Sequence, residues 1–163
     1  MIVSDDHAGL RAALKAVVPS VPWQRCIFHL AQNAQSYVPN KAMRSEIAQA
    51  IRDVYQARNP EEAEQRIRET ALKYEKRAPK FSMWLEENGP EGLSFYARPR
   101  EHWKKIRTVN VVERLNGEVK RRTSVIRLFP NEASCERLVT AVVAEIHEEW
   151  VSSKRYIRLE GGE

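Results

Sequence analysis

Ile2-Val3-Ser4-Asp5-Asp6-His7-Ala8-Gly9-Leu10, residues 2–10, reads as the end of a buried strand running straight into a helix. Ala8, Leu10, Ala12, Ala13, Leu14 and Val17 suit that helix, with Ser4 or Asp5 placed to cap it. Pro19 and Pro22 punctuate a turn, and Trp23–Phe28 reads as a second short strand. Two strands joined through a helix do not make an independently stable sheet, and a βαβ unit has two faces to cover. The pattern therefore predicts an α/β core that is incomplete on its N-terminal side, with a poorly covered face on Ile2, Val3 and residues 24–28.

Outward from this start the chain turns helical. A helix is expected from about His29 to Val38, stopped by Pro39-Asn40. Met43, Ile47, Ile51, Val54 and Tyr55 fall on one apolar stripe. Asn59-Pro60-Glu61-Glu62 opens the next helix, with a capping amide, Pro at the first position and acids in the first turn; Ala63, Ile67, Ala71 and Tyr74 are its apolar face. A shorter helix around Phe81, Trp84 and Leu85 ends at Asn88-Gly89-Pro90. Residues 91–101 read as irregular and Trp103–Ile106 as a brief extended piece. A basic helix follows from about Val109 to Arg121. Asn131 caps a last helix striped with Leu138, Val139, Val142, Val143, Ile146 and Trp150, and residues 151–163 read as a flexible tail.

Composition narrows the function classes. The 163 residues are 42% hydrophobic and 30% charged, as in an ordinary soluble protein and not a disordered one. No apolar run nears the ~18 residues of a membrane span, and Cys26 and Cys135 are too few for a disulfide framework. A cytoplasmic protein with no membrane partner is expected. Formal net charge is +5, yet Arg98–Arg127 holds ten Lys/Arg against three Glu, a net of +7, so the rest sums to −2. Basicity gathered into one stretch is what an anionic partner such as nucleic acid requires.

Three local signals carry chemistry. Asp5 follows a strand directly, where α/β sheets place ligands; an acid there serves either as a helix cap or as a metal ligand. Cys26 and His29, three apart, either hold two corners of a zinc site or form a buried thiol beside a core histidine. In Thr108–Thr123, helical spacing puts Asn110, Glu113 and Gly117 on one face and Val112, Leu115 and Val119 on another, expected to be the core side. Glu113 stands among Arg114, Lys120, Arg121 and Arg122. It is either ion-paired or, as an acid inside a surface meant for phosphates, a Mg²⁺ ligand. Trp84 either packs in the core or stacks on an unpaired base.

Taken in order, Ser-Asp-x-His-x-Gly-Leu at 4–10, Trp-Gln-Arg-Cys-x-x-His at 23–29, Trp-(x)4-Thr-x-Asn-x-x-Glu-Arg-x-Asn at 103–116 and Phe-Pro-Asn at 129–131 resemble the landmarks of the Mutator-type transposases of bacterial insertion sequences, over roughly residues 1–150. The resemblance implies a mainly α chain with a small β part. It implies an incomplete ribonuclease-H-like α/β core from residues 1–30 and 101–150, with an α-helical insertion over 31–100. It makes Asp5 and Glu113 the second and third of three catalytic, Mg²⁺-binding carboxylates. Arg114, Lys120, Arg121, Arg122, Asn110 and Asn116 become DNA contacts, and Cys26 and His29 a structural motif. The family reaction is Mg²⁺-dependent DNA strand cleavage and strand transfer at insertion-sequence ends. The family carries its first catalytic Asp on an earlier strand and a DNA-binding region before that, neither of which is in this sequence. A truncated transposase, inactive alone, is expected, with transposon-end DNA, a second copy or an intact transposase as partners. The alternative is a non-catalytic DNA-binding module or regulator.

Overall fold

Ile2–Ser4 forms β1 and pairs in parallel with β2, Trp23–Arg25, in the computed structural model of the chain, which describes residues 1–153. The register sets Ile2 beside Trp23 and Ser4 beside Arg25. Backbone bonds extend it at both ends, from Ile2 N–H to Pro22 O at 2.9 Å and from Cys26 N–H to Ser4 O at 2.7 Å. The helix between the strands, α1 (Ala8–Val17), is capped by His7, whose Nδ1 accepts from Leu10 N–H at 3.3 Å. Ser4 and Asp5 do not cap it, because the helix starts too late: Ser4 ends β1, and its hydroxyl donates to Asp5 O while accepting from the Trp23 indole N–H.

β2 is shorter than the sequence suggests. It stops at Arg25 because Ile27 begins α2 (Ile27–Ala34), which continues as a 3-10 turn, Gln35–Tyr37. The expected bare face on residues 24–28 is also overturned. Gln24, Arg25, Cys26 and Ile27 are buried and only Phe28 is exposed. They are covered by the corner after α5 described below.

The helical block is read well from its spacing. A 3-10 turn at Lys41–Met43, capped by Asn40, leads into α3 (Arg44–Val54). The Asn59 side chain caps α4 (Pro60–Tyr74) by accepting from Glu62 N–H at 2.8 Å. α5 (Pro79–Asn88) begins on its proline. Ile47, Ile51, Val54, Ala63, Ile67, Tyr74, Phe81 and Leu85 make one core. Each fully buried large apolar side chain there contributes roughly 1.5–3 kcal/mol. Ser82, buried within α5, turns its hydroxyl onto Ala71 O at 2.7 Å, so a polar group in the core pins α5 to α4. Trp84 packs in this core at 6% exposure, stacked on Tyr37 with ring centroids 5.4 Å apart, and is not offered to a base.

Residues expected to be irregular form three 3-10 turns, Gly89–Gly92, Ser94–Ala97 and Arg100–His102, and Trp103–Ile106 is a helical turn, α6, not an extended piece. Phe95 and Tyr96 anchor this segment in the core, with Tyr96 Oη donating to Ala57 O at 3.1 Å.

The described chain separates into two compact units, Met1–Thr108 and a second that starts at Val109. The second holds α7 (Asn110–Thr123) and α8 (Glu132–Ser152), the latter capped by the Asn131 side chain on Ser134 N–H at 2.9 Å. Its packed α7 side includes Val111, Leu115 and Val119, half-buried; Val112, expected on the core side, is exposed. Of its described residues only Val142 is buried, because two helices cannot cover two apolar stripes. From residue 154 on, the expected tail lies outside the described residues. Among the described residues no helix is long and apolar enough to cross a membrane.

Gly92 is the tight point of the first unit. A Cβ there would fall 2.7 Å from the Tyr55 ring, and that ring is held by burial and by its hydroxyl donating to Gly89 O at 2.8 Å. Gly92→Ala is expected to destabilise the protein by roughly 1–3 kcal/mol, the usual scale of overpacking. Urea unfolding followed by tryptophan fluorescence measures it; an unchanged midpoint would show that the ring can yield.

Candidate functional site

Asp5 sits just past the C-terminal end of β1, where parallel α/β sheets present ligand-binding groups. It is exposed, and its carboxylate makes no hydrogen bond or ion pair among the described residues. With His7 holding the helix N-terminus, the capping alternative for Asp5 falls away.

Asp6, its neighbour, is fully engaged. One carboxylate oxygen meets Arg11 Nη1 at 2.9 Å and the other Arg25 Nη2 at 3.2 Å. Arg25 is the centre of the arrangement. Only 2% of its side chain is exposed, and its Nη1 also donates to Glu91 Oε2 at 2.8 Å and Asn88 Oδ1 at 2.9 Å. Arg11 closes the circle onto Glu91 at 3.0 Å while lying 4.6 Å over the Trp23 ring. Its neighbouring carboxylates hold the Arg11 pKa above its ordinary value, first through the Asp6 bond.

Gln24 stitches the same strand to the same corner. Its amide donates to Gly92 O at 2.9 Å and accepts from Phe95 N–H at 2.9 Å, while Ser94 Oγ donates to Trp23 O at 2.7 Å. The Trp23-Gln24-Arg25-Cys26 run is thus a fastening between β2 and the corner that follows α5. Cys26 is fully buried, as a structural thiol would be, and donates its N–H to Ser4 O; His29 lies half-buried one helical turn on. Sequence reading missed Arg25, Glu91 and Asn88 as partners. The one available signal was an arginine inside a short strand, which has to find anions if it is buried.

On α7, Asn110, Glu113, Arg114, Asn116 and Lys120 are exposed, with Asn110, Glu113 and Gly117 along one face as the spacing predicts. Arg121 and Arg122 are engaged on Glu118, at 2.6 and 2.9 Å, and Arg122 reaches Glu145 of α8 at 3.1 Å. Those guanidinium bonds hold the Glu118 carboxyl at about 2, led by Arg121. Asp5 and Glu113 belong to different units. Each carries a hard carboxylate oxygen of the kind Mg²⁺ prefers. Among the described residues no three of His, Cys, Asp and Glu gather into a metal-holding cluster. The fit is that of part of a ligand set.

Two outcomes follow from this geometry. Removing Glu91 leaves a buried cation short of a partner, whereas removing Arg25 leaves Asp6 and Glu91 partly in contact with water. Glu91→Met is therefore expected to cost roughly 2–3 kcal/mol, below the fully buried range, and Arg25→Met less than Glu91→Met. Denaturant unfolding ranks the two, and the reverse order would refute this account of the network. The Glu118 pKa is depressed, so the stabilisation it gives α7 is present above its unfolded value near 4.5 and lost as pH falls toward about 2. A carboxyl titration by NMR should show this midpoint, and Arg121→Gln with Arg122→Gln should return it to the ordinary range near 4.3.

Comparison with known proteins agrees with the ordered motifs. Residues 1–153 match the sequence profile of the family described as Transposase, Mutator family. The transposase for insertion sequence element IS406 from Burkholderia multivorans is 43% identical over 157 residues, which is 96% of this chain and 40% of that protein. The transposase for ISRM5 from Rhizobium meliloti is 41% identical over 160 residues, 98% of this chain and 40% of the relative. The transposase for IS256 in transposon Tn4001 from Staphylococcus aureus is 30% identical over 167 residues, with 98% and 41% covered. The chain spans about 40% of the length of these relatives. With a match that runs through every described residue, and with relatives of this closeness, the chain belongs to the Mutator family of transposases.

Proposed function

We propose that these residues form part of the catalytic region of an insertion-sequence transposase and act in DNA transposition at transposon ends. The observation that carries this reading is the division of labour at the strand tip: Asp6 is bound by Arg11 and Arg25, while Asp5 beside it has no partner among the described residues. A carboxylate that neither caps a helix nor pairs with a cation, at the end of a parallel strand, is placed for a ligand. Asp5 and Glu113 are the two carboxylates that this chain brings to a Mg²⁺ site, within a ribonuclease-H-like core built from residues 1–30 and 101–150 and interrupted by the helical insertion 31–100. When bound, Mg²⁺ neutralises charge at the phosphodiester and lowers the pKa of the attacking oxygen.

The reaction is a displacement at phosphorus. A water or 3′-hydroxyl oxygen forms the new P–O bond, and the bond to the leaving 3′-oxygen breaks. Arg114 and Lys120 meet backbone phosphates on the exposed side of α7, and Asn110 and Asn116 donate hydrogen bonds beside Glu113. Arg121 and Arg122 add to this field through a face whose charge Glu118 and Glu145 partly offset. Contacts of this kind hold DNA in a salt-dependent way, largely independent of sequence. Cys26 is a packing residue at the root of α2, with His29 one turn along. A non-catalytic DNA-binding module, or a regulator that pairs with a second copy or with an intact transposase, is the second reading; the charge of Arg98–Arg127 favours it equally, and the uncommitted Asp5 does not.

Two carboxylates do not complete a two-metal site, so the 163 residues alone are expected to show no Mg²⁺-dependent cleavage or joining of insertion-sequence-end DNA. Grafted in place of the matching segment of the Burkholderia multivorans transposase, they should support strand transfer. Asp5→Asn or Glu113→Gln should then reduce transfer to background, Asp5→Asn without lowering the melting temperature, and Asp6→Asn should instead lower the melting temperature. A graft that stays active with Asp5→Asn would rule out the assignment.

A further inference from the structure

The cations of this chain are not equivalent. On α7, Arg121 and Arg122 carry carboxylate partners. In the first unit, residues 98–107 bring Arg98, Arg100, Lys104, Lys105 and Arg107 against one acid, Glu101. Arg98, Arg100 and Lys104 are exposed and make no ion pair among the described residues; Glu101, itself 68% exposed, stands 3.6 Å from His102 Nε2.

These cations sit on a stiff support. The 3-10 turn Arg100–His102 runs directly into α6, so Arg100 and Lys104 are carried on one continuous helical stretch. The Trp103 ring packs edge-on against Phe95 and Tyr96, at 5.7 and 4.7 Å between centroids, and its indole N–H donates to Arg98 O at 2.7 Å. The Arg100 guanidinium lies 5.9 Å from the centre of the same ring. One anchored indole therefore fixes the backbone at Arg98 and holds the head group of Arg100.

The segment also ends in a telling place. Arg107 O accepts from Ile27 N–H at 3.0 Å, and the preceding residue, Cys26, donates its N–H to Ser4 O at 2.7 Å. Two successive backbone bonds thus join the end of the basic segment to the residue before Asp5. Exposed like charges without ion pairs, in a segment whose end is bonded next to the strand that leads into Asp5, suit a ligand with repeated negative charge. Guanidinium groups suit phosphate in particular.

We propose that the Arg98–Lys104 corner is a phosphate-gripping surface for duplex DNA, which seats the backbone beside Asp5 through Arg98, Arg100 and Lys104. This rests on the reading that the chain acts on DNA, and adds where the first unit holds it. The test measures the affinity of the 163-residue chain for a short duplex across a range of salt concentrations. Three phosphates neutralised by three cations account for about 2.7 in the slope of log affinity against log salt. The triple variant Arg98→Gln, Arg100→Gln, Lys104→Gln should lose a slope of that size. The triple variant Lys15→Gln, Lys76→Gln, Lys80→Gln, with the same change of net charge at exposed positions elsewhere in the unit, should keep the slope. Circular dichroism and melting temperatures confirm that both variants fold. Equal slopes in the two variants, whether reduced or not, would overturn the proposal and leave the DNA reading standing. A parent chain that does not bind the duplex would overturn the DNA reading, and this proposal with it.

Discussion

The first unit depends on one buried guanidinium. Arg25 comes from the second of only two short strands, and its partners Glu91 and Asn88 come from the far end of the helical block, 66 and 63 residues later in sequence. A buried arginine without anions would be prohibitively costly, so the chain cannot close here until strand tip, crossover helix and corner have met. Arg11 completes the arrangement from α1, touching Asp6, Glu91 and the Trp23 ring. The helix that follows Asp5 and the strand that pairs with β1 are both tied into this network.

Such a network does little for net stability compared with an apolar core of the same size, because desolvating the charges offsets their attraction. Its effect is on geometry. Two adjacent aspartates at a strand end could exchange roles, with either one meeting the guanidinium groups. The circle of Arg11, Arg25 and Glu91 fixes Asp6 in that part, and Asp5 stays in solvent. The same constraint holds the strand pair. Two parallel strands are too few for a free-standing sheet, but β2 is fastened through Gln24, Arg25 and the Trp23 carbonyl to the corner at residues 88–95. The helical block serves as the missing neighbour on that face.

What could be read from the sequence follows the range of the interactions concerned. The caps at Asn59 and Asn131, the proline starts and the stripe from Met43 to Tyr55 are all local, set within one or two turns, and the structure has them where their spacing puts them. The cap of α1 was misread because Ser4, Asp5 and His7 all have suitable side chains, and only the length of β1 decides among them. Trp103–Ile106 is too short for periodicity to separate helix from strand. Val111 replaces Val112 on the packed side of α7, a shift of one residue that depends on how α8 approaches. Along the chain, Asp5 could be seen only as cap or ligand. The competing cap, and the engagement of Asp6 by Arg11 of α1 and Arg25 of β2, belong to tertiary structure.

The distribution of paired and unpaired charge extends the same reasoning. Ion pairs at exposed sites contribute little to folding, so a surface cation is under weak structural demand either way. Where a cation does hold elements together it has partners: Arg25 between strand and corner, and Arg122 between α7 and α8. Arg98, Arg100 and Lys104 make no ion pair among the described residues, yet their segment is fastened through the Trp103 indole bond to Arg98 O and the packing of that ring on Phe95 and Tyr96. Ordering a segment that carries unneutralised like charges is unfavourable by itself, since the charges repel one another. Where such a segment is nevertheless fastened, and its end is bonded next to the strand that leads into Asp5, a bound polyanion would relieve the repulsion.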